Sequence, residues 1–211
     1  MVQLSWKRRM AIAFQLAQAI EYLHDKCSLQ IVHGDIKASN ILLDDQLNCK
    51  LCDFGSAKMG FCSAIIPPPS ILGRNRIMME GSPGYTDPHY LRTGIASKKN
   101  DVYSFGVILL ELITGIQAFN PSNRERLITR AEPMLRDVEK VVDMVDPRLK
   151  LKGDINYIEL EETKAIAAIS AMCLCDSPSL RPCISDILTT FTNKISSVSS
   201  FLTLEKNKVL L

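Results

Sequence analysis

Apolar residues recur at helical spacing in several stretches of the chain and gather only briefly between them. Ala13, Leu16, Ala17, Ile20 and Leu23 make an i, i+3, i+4, i+7 stripe, with Gln15, Gln18 and Glu21 opposite. That pattern predicts an amphipathic helix over Trp6–His24. Three short apolar runs follow, Gln30-Ile31-Val32, Ile41-Leu42-Leu43 and Cys49-Lys50-Leu51-Cys52, separated by Asp, Asn and Gly clusters. They read as short strands joined by turns. Residues 56–86 carry few apolar anchors, and Pro67-Pro68-Pro69 forces extended backbone, so a long loop is expected there. From Asn100 onward the chain reads as mostly helical. One helix runs from about Asp101 to Gly115 and a second over about Leu160 to Cys175. A last one has Pro182 in its first turn and Ile184, Ile187, Leu188, Phe191 and Ile195 as its stripe. After Ser196 the tail is Ser-rich and then apolar, and no internal repeat is visible. The expected fold is mainly α (α+β), with short strands between helices.

Composition narrows the function classes. With 211 residues, 46% apolar and 23% charged, the chain fits one globular unit or one large lobe of something bigger. A net charge of +2 is too small to make nucleic acid or an anionic membrane the main partner. Seven cysteines without a disulfide framework favour a reducing compartment. The longest apolar run, Val102 to Ile113, is interrupted by Ser104 and Glu111. It is shorter than the roughly 20 residues a membrane span needs, so no transmembrane segment is expected and the run reads as a buried helix. The amino-terminal residues lack the features of a cleaved leader.

The informative segment is His33-Gly34-Asp35-Ile36-Lys37-Ala38-Ser39-Asn40, followed thirteen residues later by Asp53-Phe54-Gly55. Two carboxylates, an amide and a lysine on loops beside short strands suit phosphoryl transfer. That reaction needs a base near the attacking hydroxyl, oxygen ligands for magnesium, and positive charge on the moving phosphoryl group. Asp35 is the candidate base, Lys37 the phosphate contact, and Asn40 with Asp53 the metal ligands. Taken singly, an Asp or Asn in a turn most often caps backbone amides; the fixed spacing of the whole set is what points to chemistry.

On these residues the sequence resembles the protein kinase superfamily, specifically the carboxyl-terminal lobe of plant receptor-like and receptor-like cytoplasmic serine/threonine kinases. His33 to Asn40 is similar to the catalytic loop and Asp53-Phe54-Gly55 to the magnesium-binding motif. Gly81-Ser82-Pro83-Gly84-Tyr85-Thr86-Asp87-Pro88-His89-Tyr90 looks like the end of the activation segment, and Asp101 to Val107 like the start of the central buried helix. Cys175 to Pro182 resembles the family's last motif.

The resemblance implies that Asp35 accepts or orients a substrate hydroxyl proton and that Lys37 steadies the transferring phosphate. ATP and Mg2+ are the implied cofactors, and a protein substrate and a receptor kinase the implied partners. Ser82 would stand beside the substrate, with Gly84 and Tyr85 in the same segment. Leu42 would floor the adenine, and His33 and Phe54 would stack as the lower part of an apolar spine. Asp101 would anchor the catalytic loop; by composition alone it could equally be a first-turn helix acid. Residues 1–196 would be the larger lobe and 197–211 a tail, in the cytoplasm or at the cytosolic face of the plasma membrane.

Three departures matter. Gly34 stands where most kinases have Arg, which resembles the "non-RD" group, whose loop phosphorylation is not obligatory. His89 stands where the family usually has Glu, the partner of Arg181, which puts the anchoring of the segment in question. No G-x-G-x-x-G occurs, so the small β-rich lobe is read as absent and the chain as a fragment inactive alone. A non-catalytic interaction module and a small-molecule phosphotransferase are the competing readings. Among other features, the Cys49/Cys52 pair reads as two thiols on opposite strand faces rather than a zinc site. His24 reads as a charge partner of its own helix's carboxyl end, and Lys98-Lys99 and Arg124-Glu125-Arg126 as solvated faces.

Overall fold

Ser5 opens the first helix, its side chain accepting the Arg8 amide at the amino end of α1 (Trp6–Glu21). The computed structural model describes residues 3–60, 81–150 and 157–198. The apolar stripe of α1 is buried as the periodicity requires, with Leu16, Ala17 and Ile20 inaccessible to solvent. Phe14 meets Phe191 of α8 (Ile184–Lys194) with ring centroids 6.1 Å apart. Gln15, on the polar face, accepts the Cys49 amide at 2.8 Å. That bond docks the ribbon of β2 (Ile41–Leu43) and β3 (Cys49–Leu51) on the helix.

Two further antiparallel ribbons complete the strands described. β1 (Ile31–Val32) pairs with β4 (Lys58–Met59), Val32 opposite Lys58, and β5 (Phe119–Asn120) with β6 (Glu125–Arg126). β4 lies inside the stretch expected to be loop. Two residues are too few to show alternation, and their pairing with β1 is non-local. The proline run lies outside the described residues.

The short α2 (Pro88–Thr93) leads into α3 (Lys98–Thr114), the buried axis of the molecule. α3 starts three residues before the expected Asp101, because Asn100 Oδ1 accepts the Ser97 amide and closes the first turn on a polar sequence. α3 packs along α7 (Tyr157–Cys173). Gly106 allows this approach: a Cβ there would lie 2.7 Å from the Cys173 Cβ. The Ser170 hydroxyl donates to the Gly106 carbonyl at 2.9 Å across the seam. Between them lie α4 (Leu127–Arg136), α5 (Val141–Met144) and α6 (Pro147–Lys150). α8 begins after Pro182, with Cys183 as its amino-terminal cap residue, so the proline precedes the helix rather than sitting in its first turn.

The two ends of this body meet at Glu162 of α7, which is nearly inaccessible. It accepts the Trp6 indole N–H at 2.8 Å, the Ser196 hydroxyl at 2.7 Å and the Ser197 amide at 2.8 Å. With Val198 also buried, the packed unit continues through residue 198, past the expected boundary at 196.

A second buried charge cluster ties α1 to the turn after α5. Arg9 pairs with Asp146 and donates to the Leu112 carbonyl at 2.8 Å, while Arg148 grips the same carboxylate from the other side. Burial alone would push the Asp146 carboxyl up, but bonds from Arg148 and Arg9 outweigh it and bring it from 3.8 to about 2. The stabilisation is therefore complete above the ordinary carboxylate value and disappears as pH falls through the folded one. Arg9→Ala is expected to lower unfolding free energy by about 3 kcal/mol at neutral pH, the lower end for breaking a buried pair, because Arg148 remains. Denaturant titrations should show that penalty shrinking as pH is taken from about 4 towards about 2.

Candidate active site

The loop His33–Asn40 hangs from α3 by one carboxylate. Asp101 Oδ2 accepts the His33 amide at 2.8 Å and Oδ1 the Gly34 amide at 2.9 Å. His24 Nε2 lies 2.8 Å from Asp101 Oδ2, both side chains nearly inaccessible. This corrects the reading of His24 as a dipole partner of its own helix. α1 ends at Glu21 and passes into a π-turn over Tyr22–Lys26, whose wider winding turns the imidazole inward. Of the two readings left open for Asp101, the geometry combines both: it lies in the first turn of α3 and holds the loop.

His33 is fully buried. Its Nδ1 accepts the Asp35 amide at 3.3 Å and its Nε2 lies 3.1 Å from the Cys52 carbonyl, which together select the Nε2–H tautomer. Its ring meets Phe54, centroids 4.8 Å apart. His33 is thus tied to the Asp53-Phe54-Gly55 turn by a tilted ring contact and by the carbonyl of Cys52, which precedes the turn.

Asp35, Lys37 and Ser82 form a closed triangle of polar atoms. Lys37 Nζ lies 2.6 Å from Asp35 Oδ2 and donates to Ser82 Oγ at 3.0 Å, and Ser82 Oγ donates to Asp35 Oδ1 at 2.7 Å. Burial pushes the Asp35 carboxyl up, yet the bonds from Lys37, Ser82 and Asn40 and the Lys37 charge leave it below the ordinary carboxylate range. At neutral pH it is an anion ready to accept a proton.

Asn40 belongs to the same cluster. Its Nδ2 donates to the Asp35 carbonyl at 2.9 Å and to Asp35 Oδ2 at 3.2 Å, leaving the amide oxygen as the atom available to a cation. Asp53 follows Cys52, whose amide donates to the Asn40 carbonyl at 2.9 Å. Asp53 sits in left-handed backbone at φ 64°, unusual for a side chain other than Gly or Asn, and one carboxylate oxygen accepts the Gly55 amide at 3.3 Å. One amide oxygen and one carboxylate are hard oxygen donors, which fits a magnesium ion completing its shell with phosphates and water. Among the described residues no cluster of three or more His, Cys, Asp or Glu could hold a metal by itself; Cys52 Sγ instead contacts the Asn40 carbonyl at 3.3 Å. Leu42, in β2 beside this cluster, is 55% exposed, and Phe54 47%.

The segment that bears Ser82, Gly84 and Tyr85 is held through two acids, Glu111 and Asp87, to which motif reading gave no role. The Tyr85 hydroxyl contacts both carboxylate oxygens of Glu111 at 2.8 Å, and Glu111 also accepts the Ala118 amide. Burial pushes both the Tyr85 phenol and the Glu111 carboxyl up. Gly84, at φ 87°, lies against the Ala118 carbonyl, where a Cβ would come within 2.6 Å. Arg181 is anchored, but not through His89. Its guanidinium makes a bidentate pair with Asp87, at 2.6 and 2.9 Å, both side chains wholly buried. His89 contacts Thr93 instead. An acid two residues before the expected position was the signal available in the sequence.

Gly34 has φ 79°, and a Cβ on it would lie 2.9 Å from the Ser56 carbonyl oxygen. Both the backbone conformation and the space exclude a larger side chain without rearrangement. Gly34→Arg is expected to lower stability by more than about 1 kcal/mol, the scale for a side chain forced to positive φ, seen as a lower denaturant midpoint.

Known proteins resemble this chain over most of its length. Residues 2–191 match the family described as "Protein kinase domain". A probable receptor-like protein kinase of Arabidopsis thaliana is 48% identical over 206 residues, covering 93% of this chain and 59% of the relative. The salt tolerance receptor-like cytoplasmic kinase 1 of Oryza sativa subsp. japonica is 47% identical over 197 residues, covering 93% and 52%. A probable serine/threonine-protein kinase of Arabidopsis thaliana is 43% identical over 189 residues, covering 88% and 46%. The chain thus spans about half the length of these curated relatives.

Proposed function

The chain belongs to the protein kinase superfamily, with plant receptor-like and receptor-like cytoplasmic kinases among its relatives, and from that premise we propose that it carries the catalytic-loop half of a protein serine/threonine kinase. The observation that carries the proposal is the Asp35–Lys37–Ser82 triangle with Asn40 against it. Asp35 would accept the proton of a substrate serine or threonine hydroxyl as the hydroxyl oxygen bonds to the γ-phosphorus of ATP and the bond from that phosphorus to the bridging oxygen breaks, releasing ADP. Lys37, already charged beside that oxygen, stabilises the negative charge spread over the phosphoryl oxygens. Asn40 and Asp53 would hold Mg2+, which neutralises phosphate charge when bound. Leu42 supplies an apolar surface for adenine, and the tilted ring contact of His33 with Phe54 holds the metal-binding turn against the loop.

Gly34 supports a non-RD kinase, since position 34 offers no guanidinium to receive an activation-loop phosphate. Residues 1–196, with 197 and 198 packed on them, correspond to the larger lobe in this reading, and 199–211 to a tail. A protein kinase family implies a protein substrate, and a receptor kinase is the further partner in this reading. Among the described residues no helix is long and apolar enough to cross a membrane. The described cysteines are free thiols, which suits the cytoplasm or the cytosolic face of the plasma membrane.

Residues 1–211 alone are expected to give no measurable transfer from magnesium-ATP to a generic protein substrate. The exposed Leu42 and Phe54 indicate a cleft open to water, where charge contacts are weak. Transfer that appears in the chain alone and vanishes in Asp53→Ala would overturn this. In a chimera that joins the glycine-rich-loop lobe of a relative ahead of residue 1, transfer should appear. There Asp35→Asn should lower turnover by about 10²–10⁴ with the fold intact, as expected on removing a positioned base. A chimera that binds ATP but transfers nothing would favour the non-catalytic interaction module instead.

A further inference from the structure

We infer that Asp87 is a positioning residue for the site, fixing the height of Ser82 over Asp35 through a buried ion pair that His89 cannot make. The inference rests on the kinase reading for what the site does, but its geometry stands without it. Asp87 uses both oxygens fully. Oδ1 accepts Arg181 Nη2 at 2.9 Å and the His89 amide at 2.8 Å. Oδ2 accepts Arg181 Nη1 at 2.6 Å and Asn100 Nδ2 at 2.7 Å. Arg181 is as fully engaged, donating also to the Cys175 and Lys99 carbonyls and lying over the Tyr103 ring at 5.0 Å.

From Asp87 the constraint runs back to the reacting atoms in one turn of chain. The amides of Tyr85 and Thr86 both donate to the Ser82 carbonyl, at 3.1 and 3.2 Å, and the Thr86 hydroxyl donates to it at 3.0 Å. Ser104 of α3 holds the Tyr85 carbonyl at 2.9 Å. The Ser82 hydroxyl then reaches Asp35 and Lys37. Asn100, which Asp87 grips, immediately precedes Asp101, which holds the His33 and Gly34 amides. The base and the segment facing it therefore hang from adjacent residues of one helix turn. Asp87 is what secures the segment's half. The carboxylate takes four donors in a dry site, and removing its charge strands a buried guanidinium unless another acid comes within reach.

Residues 1–211 suffice for the test, because amide hydrogen exchange needs no phosphoryl transfer; a failure here therefore leaves the kinase reading to its own assay. In Asp87→Asn the amides of Tyr85 and Thr86 should exchange about 10-fold faster or more, while those of Leu16 in α1 and Ile169 in α7 keep their relative protection. Adding His89→Glu in that background restores an acid where the family usually carries one, and should bring both amides back to within about 3-fold of the parent chain. The double variant also keeps the test decisive if Asp87→Asn alone unfolds. Unchanged exchange at Tyr85 and Thr86 in Asp87→Asn would overturn the inference. So would equal acceleration across α1 and α7, or a double variant no better protected than the single one.

Discussion

A single buried carboxylate organises the molecule. Asp101 is 1% exposed and accepts the amides of His33 and Gly34 and the imidazole of His24. A charge so far from water is tolerable only where its lone pairs are met by donors aimed at it. That requirement fixes three separate stretches of chain at one point: the end of the first helix, the loop that bears Asp35, and the start of α3. The rigidity behind the point comes from packing. α3 is seated against α7 at the distance that Gly106 permits, so the carboxylate is mounted on an element with little freedom of its own.

The proposed chemistry would borrow that rigidity. Asp35, Lys37, Ser82 and Asn40 satisfy one another before any substrate arrives. Their polar atoms are therefore arranged in advance rather than recruited during reaction. Burial and hydrogen bonding act on Asp35 in opposite directions, and bonding prevails.

Legibility in the sequence followed periodicity and motif spacing. The α1 stripe, the Ile41–Leu43 strand and the apolar length of α3 were all readable, the first from its helical repeat and the other two as apolar runs bounded by polar or turn residues. The polar start of α3 was not, since Asn100 works through its amide side chain rather than through a pattern. His24 was misplaced because nothing local announces that a helix will widen into a π-turn. β4 is two residues long and exists through pairing with β1. Within the site, the spacing from His33 to Asp53 identified the group, but the partner of Arg181 was assigned by position. The structure gives that role to Asp87, because a buried guanidinium takes whichever acid lies within reach. Glu111 sits inside an apolar run and gave no sign that it would meet Tyr85 across the fold.

The arrangement at Glu162 carries an optical consequence. Trp6 is the chain's only tryptophan, and its indole N–H is bonded to the carboxylate that also holds Ser196 and Ser197. Emission from this lone indole comes from the place where the first helix meets Ser196 and Ser197 through Glu162. If residues 195–198 lift away, the indole is exposed to solvent and its spectrum moves to longer wavelength, with no background from another tryptophan. The molecule thus carries an intrinsic, label-free gauge of how firmly its two ends are closed on one another.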